Sequence, residues 1–359
     1  MKIGILTFSA AHNFGAVLQC FGLYKTVQQL GFDVEVIDYR PDYLAAYEPV
    51  FGWRQYVNRH LFSLPSRYAI YRYWRKIYDG YMNFKSDNMN MTDAIYDRTI
   101  LKEILTNFDL IIIGSDQVWN NNFNGDDQIW YGIPSCRTKW ITYAASAGNV
   151  AKWLEKENLP ELLENFASIS ARETELAHAV DQILKRTGTP TVVDPSLLGD
   201  PMIWDKWKKP VIEGDYILTY QARESDDVFR IAEDVKRQLN CERIIPIDFY
   251  GNVSRLGYTA FVASPEKFIS LIANAKCVVT TSFHGTAFSV ILKTPFYTLR
   301  LNDGADMRSE NLLNNLGLTD RLIDRNLTPD FRIPDFTNAL NKLGELRNES
   351  LDYLKTALA

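Results

Sequence analysis

Apolar and polar positions at the start of the chain follow first a strand-like and then a helical spacing. A strand-like apolar run covers 2–8, and from 16 to 30 the apolar positions recur at helical spacing. Gly31 stands where a helix C-cap glycine is expected, and a second strand pattern follows at 33–39. This order predicts a βαβ unit and therefore a parallel pair of strands.

The same alternation of strands and helices returns twice along the chain. The first series has strand patterns at 108–113, 140–145, 168–170 and 190–193, each followed by small or polar residues. The second has strands at 216–220, 243–247 and 277–280, and helices at about 225–239, from Ser264-Pro265-Glu266 and from Thr286. We therefore predict an α/β fold with two Rossmann-like domains that face each other across a cleft (GT-B-like), and a C-terminal helix.

The boundaries of these domains follow from changes in composition. We predict an N-terminal Rossmann-like domain at 1–198, a connection at 199–213, a C-terminal Rossmann-like domain at 214–333 and a helix at 334–359. Domains of this kind bind ligands at the carboxyl ends of their strands, where this chain places its polar residues.

A basic and aromatic excursion interrupts the first domain at 44–100. Its most distinctive part, 53–78, interleaves arginines and lysine with tyrosines and tryptophans and contains no acidic residue. Such a face can rest on an anionic membrane surface or hold a lipid-linked phosphate. Packing of an inserted helical excursion against the domain explains the same pattern, and both interpretations remain open.

Overall composition favours a cytoplasmic protein without a structural metal. Hydrophobic residues make up 46% of the chain and charged residues 23%, and the net charge of −5 argues against a general nucleic-acid binder. The four cysteines are far apart and show no zinc-binding spacing. We find no signal-like segment before the first strand and no apolar run of the ~20 residues that span a bilayer.

The first candidate site lies where the first strand leads into the first helix. His12, Asn13 and Gly15 precede or open this helix. Asn13 can cap the helix, Gly15 allows close approach of a ligand, and a helix N-terminus favours a phosphate or carboxylate. The alternative is a tight turn that needs only Asn and Gly. The loop is neither a Walker loop nor a dinucleotide-binding glycine fingerprint.

The second candidate site follows the strand at 108–113. Asp116 could act as a general base toward a sugar hydroxyl, and Ser115 and Gln117 could bind other hydroxyls. Trp119 could offer a flat face to a sugar. A helix N-cap followed by a core tryptophan is the structural alternative.

The third candidate site combines a histidine with the start of a later helix. Ser282, His284 and Gly285 follow the strand at 277–280, and a histidine can serve as general acid or base near neutral pH. Arg172 and Arg308 follow predicted strands and could pair with a carboxylate or phosphate. A structural histidine and surface salt bridges are the alternatives.

Eight motifs, taken in order, carry a resemblance to a known family. They are Asn13-Phe14-Gly15-Ala16-Val17-Leu18-Gln19, Asp38-Tyr39-Arg40-Pro41, Gly114-Ser115-Asp116-Gln117-Val118-Trp119-Asn120, Tyr143-Ala144-Ala145-Ser146, Ile169-Ser170-Ala171-Arg172-Glu173, Val193-Asp194-Pro195-Ser196-Leu197-Leu198, Thr281-Ser282-Phe283-His284-Gly285-Thr286-Ala287-Phe288-Ser289 and Lys293-Thr294-Pro295-Phe296. Together they resemble the polysaccharide pyruvyl transferase family from Met1 to about residue 322.

The resemblance implies a GT-B-type fold and transfer of a pyruvyl group in bacterial surface polysaccharide biosynthesis. Phosphoenolpyruvate would be the donor substrate, two sugar hydroxyls would receive the group as a ketal, and no cofactor is implied. The saccharide acceptor could be lipid-linked, which fits a peripheral position at the inner membrane face through 53–78.

The demands of this reaction suggest roles for the candidate residues. His284 would be the acid/base and contact the donor phosphate, Asp116 would be the acceptor base, and Arg172 and Arg308 would hold anions. Many members carry an arginine where this chain has Phe283, and Arg308 could supply that charge.

Two further functions are compatible with the sequence. One is a GT-B glycosyltransferase that uses a nucleotide-sugar, although no clear ribose-recognition or base-recognition motif is present. The other is a non-catalytic carbohydrate-binding or assembly protein. It remains an alternative because Phe283 stands where many family members have an arginine.

Overall fold

The chain divides into two compact units. A computed structural model describes residues 1–45, 64–133, 138–247, 254–255, 257–302, 304 and 306–359. The first unit consists of Met1–Tyr71, Tyr81–Asp200 and Leu346–Ala359, and the second of Arg72–Gly80 and Pro201–Glu345.

A four-stranded parallel sheet forms the centre of the first unit. Its strands are β1 (Lys2–Leu6), β2 (Asp33–Val36), β3 (Leu110–Ile113) and β4 (Lys139–Thr142), in the order β2-β1-β3-β4. All residues of β3 are buried, as expected for a strand covered on both faces.

The strands predicted at 168–170 and 190–193 are described only as isolated bridges, Ser168 beside Ile141 of β4 and Thr191 beside Ala171. At Ser170 the backbone N–H donates to the hydroxyl of Thr142, 2.9 Å away, instead of to a backbone carbonyl. The side-chain hydroxyl therefore replaces part of the regular ladder between strands.

Eight α-helices are described between Met1 and Asp200. They are α1 (Phe14–Gln29), α2 (Asp42–Ala45), α3 (Leu64–Asn88), α4 (Arg98–Leu105), α5 (Val150–Trp153), α6 (Leu159–Leu163), α7 (Thr174–Ile183) and α8 (Pro195–Leu198). In the core the rings of Tyr131 and Trp153 each stack on Trp119, and the indole N–H of Trp153 donates to the Tyr131 hydroxyl at 3.0 Å. Since Trp119 is fully buried, the idea that it offers a flat face to a sugar is wrong.

The second unit contains a five-stranded parallel sheet and a small hairpin. Its strands are β5 (Tyr216–Tyr220), β6 (Arg243–Ile247), β7 (Ser254–Arg255), β8 (Tyr258–Thr259), β9 (Cys277–Thr280), β10 (Phe296–Arg300) and β11 (Leu322–Asp324). The sheet has the order β11-β10-β9-β5-β6, and β7 and β8 pair antiparallel. The helices that follow β5 are α9 (Asp227–Leu239), α10 (Pro265–Asn274), α11 (Phe283–Ile291), α12 (Met307–Leu316) and α13 (Phe336–Leu358).

Both sheets have the strand order of a doubly wound fold. In each, the first strand lies between the second and the third: β1 between β2 and β3, and β5 between β6 and β9. The chain therefore runs from the first strand to its neighbour on one side and then crosses to the other side. In open α/β sheets the carboxyl ends of the strands at this point of reversal form the ligand-binding crevice. The prediction of two Rossmann-like domains with a C-terminal helix is confirmed.

Of the predicted basic and aromatic segment, 53–78, residues 53–63 lie outside the described residues. In the part of α3 whose side chains are described, Arg72, Arg75 and Lys76 are exposed and Ile77 is buried. Arg75 pairs with Asp79 at 2.8 Å. None of the described helices is both long enough and apolar enough to cross a membrane.

Candidate functional site

The loop between β1 and α1 holds the first group of predicted residues. Asn13 caps α1, and its side-chain oxygen accepts a hydrogen bond from the Gly15 N–H at 2.8 Å. His12 is buried, and its ring stacks on Tyr81 with 5.4 Å between the centroids. The ammonium of Lys85, also buried, donates to the carbonyl of Ser9 at 3.3 Å. The loop therefore carries an imidazole next to the start of α1, and α3 contributes an ammonium that contacts the same loop.

The second group follows β3, next to β1 at the topological switch point. Ser115 is buried, its hydroxyl donates to the Ala144 carbonyl at 2.9 Å, and its own carbonyl accepts from the Thr7 hydroxyl at 2.7 Å. Asp116 is half-buried with a φ of 84°, and it accepts from the N–H of Gln117 at 2.8 Å. Ser115 thus ties the two loops together, while Asp116 adopts a left-handed backbone that few L-residues favour.

A buried charge cluster surrounds Arg172. Its guanidinium contacts Asp194 at 2.9 Å and Glu173 at 3.4 Å, and all three side chains are less than one-tenth exposed. Burial alone would lower the pKa of Arg172, but the carboxylates of Glu173, Asp194 and Asp116 raise it above its ordinary value. Arg172 therefore remains a cation, held among these acidic side chains.

Backbone bonds bring the second group and the charge cluster to one edge of the first sheet. The N–H of Ser146 donates to the Asp116 carbonyl at 3.1 Å, and the N–H of Arg172 donates to the Ala145 carbonyl at 2.9 Å. Sequence reasoning missed Glu173 as a functional candidate, although it lies in one of the family motifs. No signal in the sequence shows that this carboxylate is buried.

In the second unit, the predicted histidine lies in the first turn of α11. This helix begins at Phe283, earlier than the predicted start at Thr286. The side chain of Ser282 caps it by accepting a bond from the Gly285 N–H at 3.4 Å, which extends the helix toward β9. His284 is buried there, at the end of the helix where the macrodipole is positive.

Arg308 and His284 both lie against Phe283. The guanidinium carbon of Arg308 is 6.0 Å from the centre of the Phe283 ring, within range of a cation–π contact. The Phe283 and His284 rings are 5.2 Å apart and nearly perpendicular. The structure thus brings together the residues predicted at this position, Arg308 included.

Arg223, which lies in the loop after β5, was missed by sequence reasoning. Its guanidinium donates to Asp306 at 2.7 Å and to the Thr281 carbonyl at 3.1 Å. Asp306 in turn accepts from the N–H groups of Leu301 and Asn302 at 2.9 and 2.6 Å. The only sequence signal is that Arg223 follows a predicted strand. Because β5 and β9 are neighbours, Arg223 reaches the loop that begins α11.

We expect Gly285→Ala to lower both stability and activity. A Cβ at this position would lie 2.4 Å from the hydroxyl of Thr280, which already bonds the Tyr220 carbonyl at 2.6 Å and the Ser282 N–H at 3.0 Å. Displacing Thr280 disturbs the turn before His284, and such overpacking costs about 1–3 kcal/mol. Urea denaturation of both proteins measures the free energy of unfolding.

Gly344→Ala is the matched control for this substitution. Gly344 lies inside α13, and a Cβ there has nothing within 4 Å among the described residues. We expect a gain of roughly 0.5–1 kcal/mol from improved helix propensity. Equal stabilities of the two alanine variants would contradict the crowding at Gly285.

Comparison with family profiles identifies one family that spans most of the chain. The family described as polysaccharide pyruvyl transferase matches residues 13–303. A comparison with curated proteins found no significant match.

Comparison with solved structures finds sugar-nucleotide enzymes of low identity. A UDP-GlcNAc 2-epimerase from Methanocaldococcus jannaschii is 12% identical, with a TM-score of 0.45, over 97% of this chain and 93% of that chain. A putative UDP-N-acetylglucosamine 2-epimerase from Listeria monocytogenes is 9% identical, with a TM-score of 0.49, over 98% and 90%. The E. coli heptosyltransferase WaaC with ADP-2-deoxy-2-fluoro heptose is 13% identical, with a TM-score of 0.40, over 100% of both chains.

Proposed function

The chain belongs to the polysaccharide pyruvyl transferase family, and from this premise we propose that it transfers a pyruvyl group from phosphoenolpyruvate to two hydroxyls of a saccharide. The observation that carries the proposal is the family match over 13–303, which includes His284 and Arg223 at the switch point of the second unit. The reaction belongs to surface polysaccharide biosynthesis, and its proposed setting is the cytoplasm.

The second unit supplies groups suited to the donor. Phosphoenolpyruvate carries a phosphate and a carboxylate, so it needs several positive groups. The first turn of α11 offers backbone N–H groups, and Arg223 and Arg308 add guanidinium groups. In this proposal Arg223 takes part of the role of the arginine that Phe283 replaces, together with Arg308.

His284 is the proposed general acid. Donation of its proton to the donor methylene produces a methyl group and an oxocarbenium-like carbon. One acceptor hydroxyl adds to that carbon and gives its proton to a base, which we propose is Asp116. The second hydroxyl then displaces phosphate, which leaves with that hydroxyl's proton. The products are the cyclic ketal and inorganic phosphate, and the histidine recovers a proton from the base through solvent.

The roles proposed for the remaining residues in the first unit follow their contacts. Ser115 and Gln117 support the position of Asp116, and the loop with His12, Asn13 and Gly15 contacts the substrate. Arg172 lies among buried carboxylates, so we propose that it positions these carboxylates instead of holding an anion of the substrate. A lipid-linked acceptor, with membrane contact through 53–78, remains part of the proposal.

Release of phosphate from phosphoenolpyruvate tests the proposed function. The purified full chain is incubated with phosphoenolpyruvate, alone and with a panel of lipid-linked and nucleotide-linked sugars, and inorganic phosphate is measured. We expect release that depends on one acceptor, with a product heavier by one pyruvyl ketal in mass spectrometry.

Two results would contradict the proposal. Thermal stabilisation by a nucleotide-sugar, with glycosyl transfer and no phosphate release, would identify a glycosyltransferase. Saccharide binding without either reaction would identify a non-catalytic carbohydrate-binding protein.

A further inference from the structure

Glu173 is a buried carboxylate whose described partners all contact one of its two oxygens. Its Oε1 atom accepts a hydrogen bond from the Ser146 hydroxyl at 2.6 Å and contacts Arg172 at 3.4 Å. Its Oε2 atom is closed to solvent and has no hydrogen-bond partner within the part of the chain that the structure describes. The residue as a whole is 8% exposed. Buried carboxylate oxygens almost always have a donor, so this one calls for a functional explanation.

Two neighbours, Ser146 and Arg172, connect Glu173 to the candidate base Asp116. Ser146, which holds Glu173, is bonded through its backbone N–H to the carbonyl of Asp116 at 3.1 Å. The negative charges of both Glu173 and Asp116 raise the pKa of Arg172. The two carboxylates therefore share the carboxyl edge of the first sheet, where open α/β sheets bind ligands.

The charges at this edge favour a neutral ligand that donates hydrogen bonds. Three carboxylates, those of Glu173, Asp194 and Asp116, act on the single guanidinium of Arg172. A further anion would be repelled by the carboxylates, whereas a hydroxyl can donate to a carboxylate oxygen at little cost. A saccharide hydroxyl fits this requirement better than phosphoenolpyruvate does.

We propose that Glu173 is an acceptor-binding residue whose Oε2 atom receives a hydrogen bond from a saccharide hydroxyl. This inference rests on the proposed function, because a ketal requires two hydroxyls of one sugar. Asp116 serves one hydroxyl as base, and Glu173 holds the other in place. Ser146 and Arg172 orient Glu173 by binding its opposite oxygen.

Glu173→Gln tests this role because it keeps the shape of the side chain and removes its charge. With the acceptor found in the phosphate-release assay, we expect the acceptor KM to rise about 10- to 100-fold, the usual effect of losing a hydrogen bond to a charged group. The KM for phosphoenolpyruvate should remain unchanged. A purely structural role would alter stability or both KM values together. An unchanged acceptor KM in this variant would overturn the inference.

Glu175→Gln is the matched control, since Glu175 is exposed and lies in the first turn of α7, directly after the N-cap residue Glu173. We expect wild-type kinetics for it. Glu173→Asp is the second variant, and it keeps the charge while withdrawing the carboxylate, so its acceptor KM should also rise. The melting temperature of each variant shows whether it folds.

A binding measurement separates this inference from the proposed reaction. Methyl β-D-galactopyranoside and methyl α-D-mannopyranoside serve as diol probes in ligand-observed NMR with the full chain. Sugar binding by the wild type that is lost in Glu173→Gln supports the inference even where no phosphate is released. Binding that persists in the variant, or its absence in the wild type together with no acceptor-dependent turnover, overturns it.

Discussion

His284→Ala is expected to abolish most turnover of phosphoenolpyruvate while leaving the fold intact. The imidazole lies in the first turn of α11, buried and next to Phe283. Without a placed acid, protonation of the donor methylene must rely on solvent, and loss of general acid catalysis usually costs about 10²- to 10⁴-fold in rate. Steady-state phosphate release with a saturating acceptor measures kcat directly.

The control for this variant is His178→Ala. His178 is an exposed residue of α7 in the first unit, and we expect wild-type kcat for it. Because His284 is buried, His284→Gln is a second variant that fills the same space better, and circular dichroism shows whether each variant folds. Wild-type kcat in a folded His284→Ala protein would remove this residue from the mechanism.

Arg172→Met is expected to lower the free energy of unfolding by about 3–5 kcal/mol. The substitution keeps most of the side-chain volume but removes the cation that contacts Asp194 at 2.9 Å and Glu173 at 3.4 Å. Two buried carboxylates would then lose their positive partner, which is far costlier than loss of a surface ion pair. Urea denaturation at neutral pH, followed by tryptophan fluorescence, gives this difference.

Arg186→Met provides the comparison with a surface arginine. Arg186 is 40% exposed, and its ion pair with Asp181 is 4.0 Å long. Exposed pairs of this kind contribute little, so we expect a change within roughly 0.5 kcal/mol. If Arg172→Met were as stable as wild type and raised only the KM for phosphoenolpyruvate, Arg172 would be a donor contact and its buried pairs would have little structural value.

Local sequence patterns were sufficient for the main elements of both sheets. The apolar run at 108–113 and the run at 277–280 predicted strands because both are short, apolar and bounded by polar residues. The start of α1 near Asn13 followed from capping chemistry. Where an end was missed, as at Phe283, the cause was the cap at Ser282, which starts the helix before the predicted Thr286.

The places of candidate residues in the fold could be predicted from the sequence where a single loop carries them. His12, Asp116 and His284 each follow a recognisable strand, and their positions after β1, β3 and β9 could be anticipated. Glu173 and Arg223 could not be selected in this way. Their importance depends on what lies opposite them, and a charged residue after a strand is usually solvated.

The sequence by itself determined the α/β class, the family resemblance and the loops that carry polar groups, because periodicity, caps and motifs are local properties. Only the tertiary structure decided which strands are neighbours, since β1 and β3, or β5 and β9, are far apart along the chain. The pairing of β5 with β9 places Arg223 beside the start of α11, and the backbone bond from Arg172 to Ala145 places Glu173 next to Ser146. Burial and pairing of charges depend on contacts between distant segments, and for that reason they emerge only when the sheets are assembled.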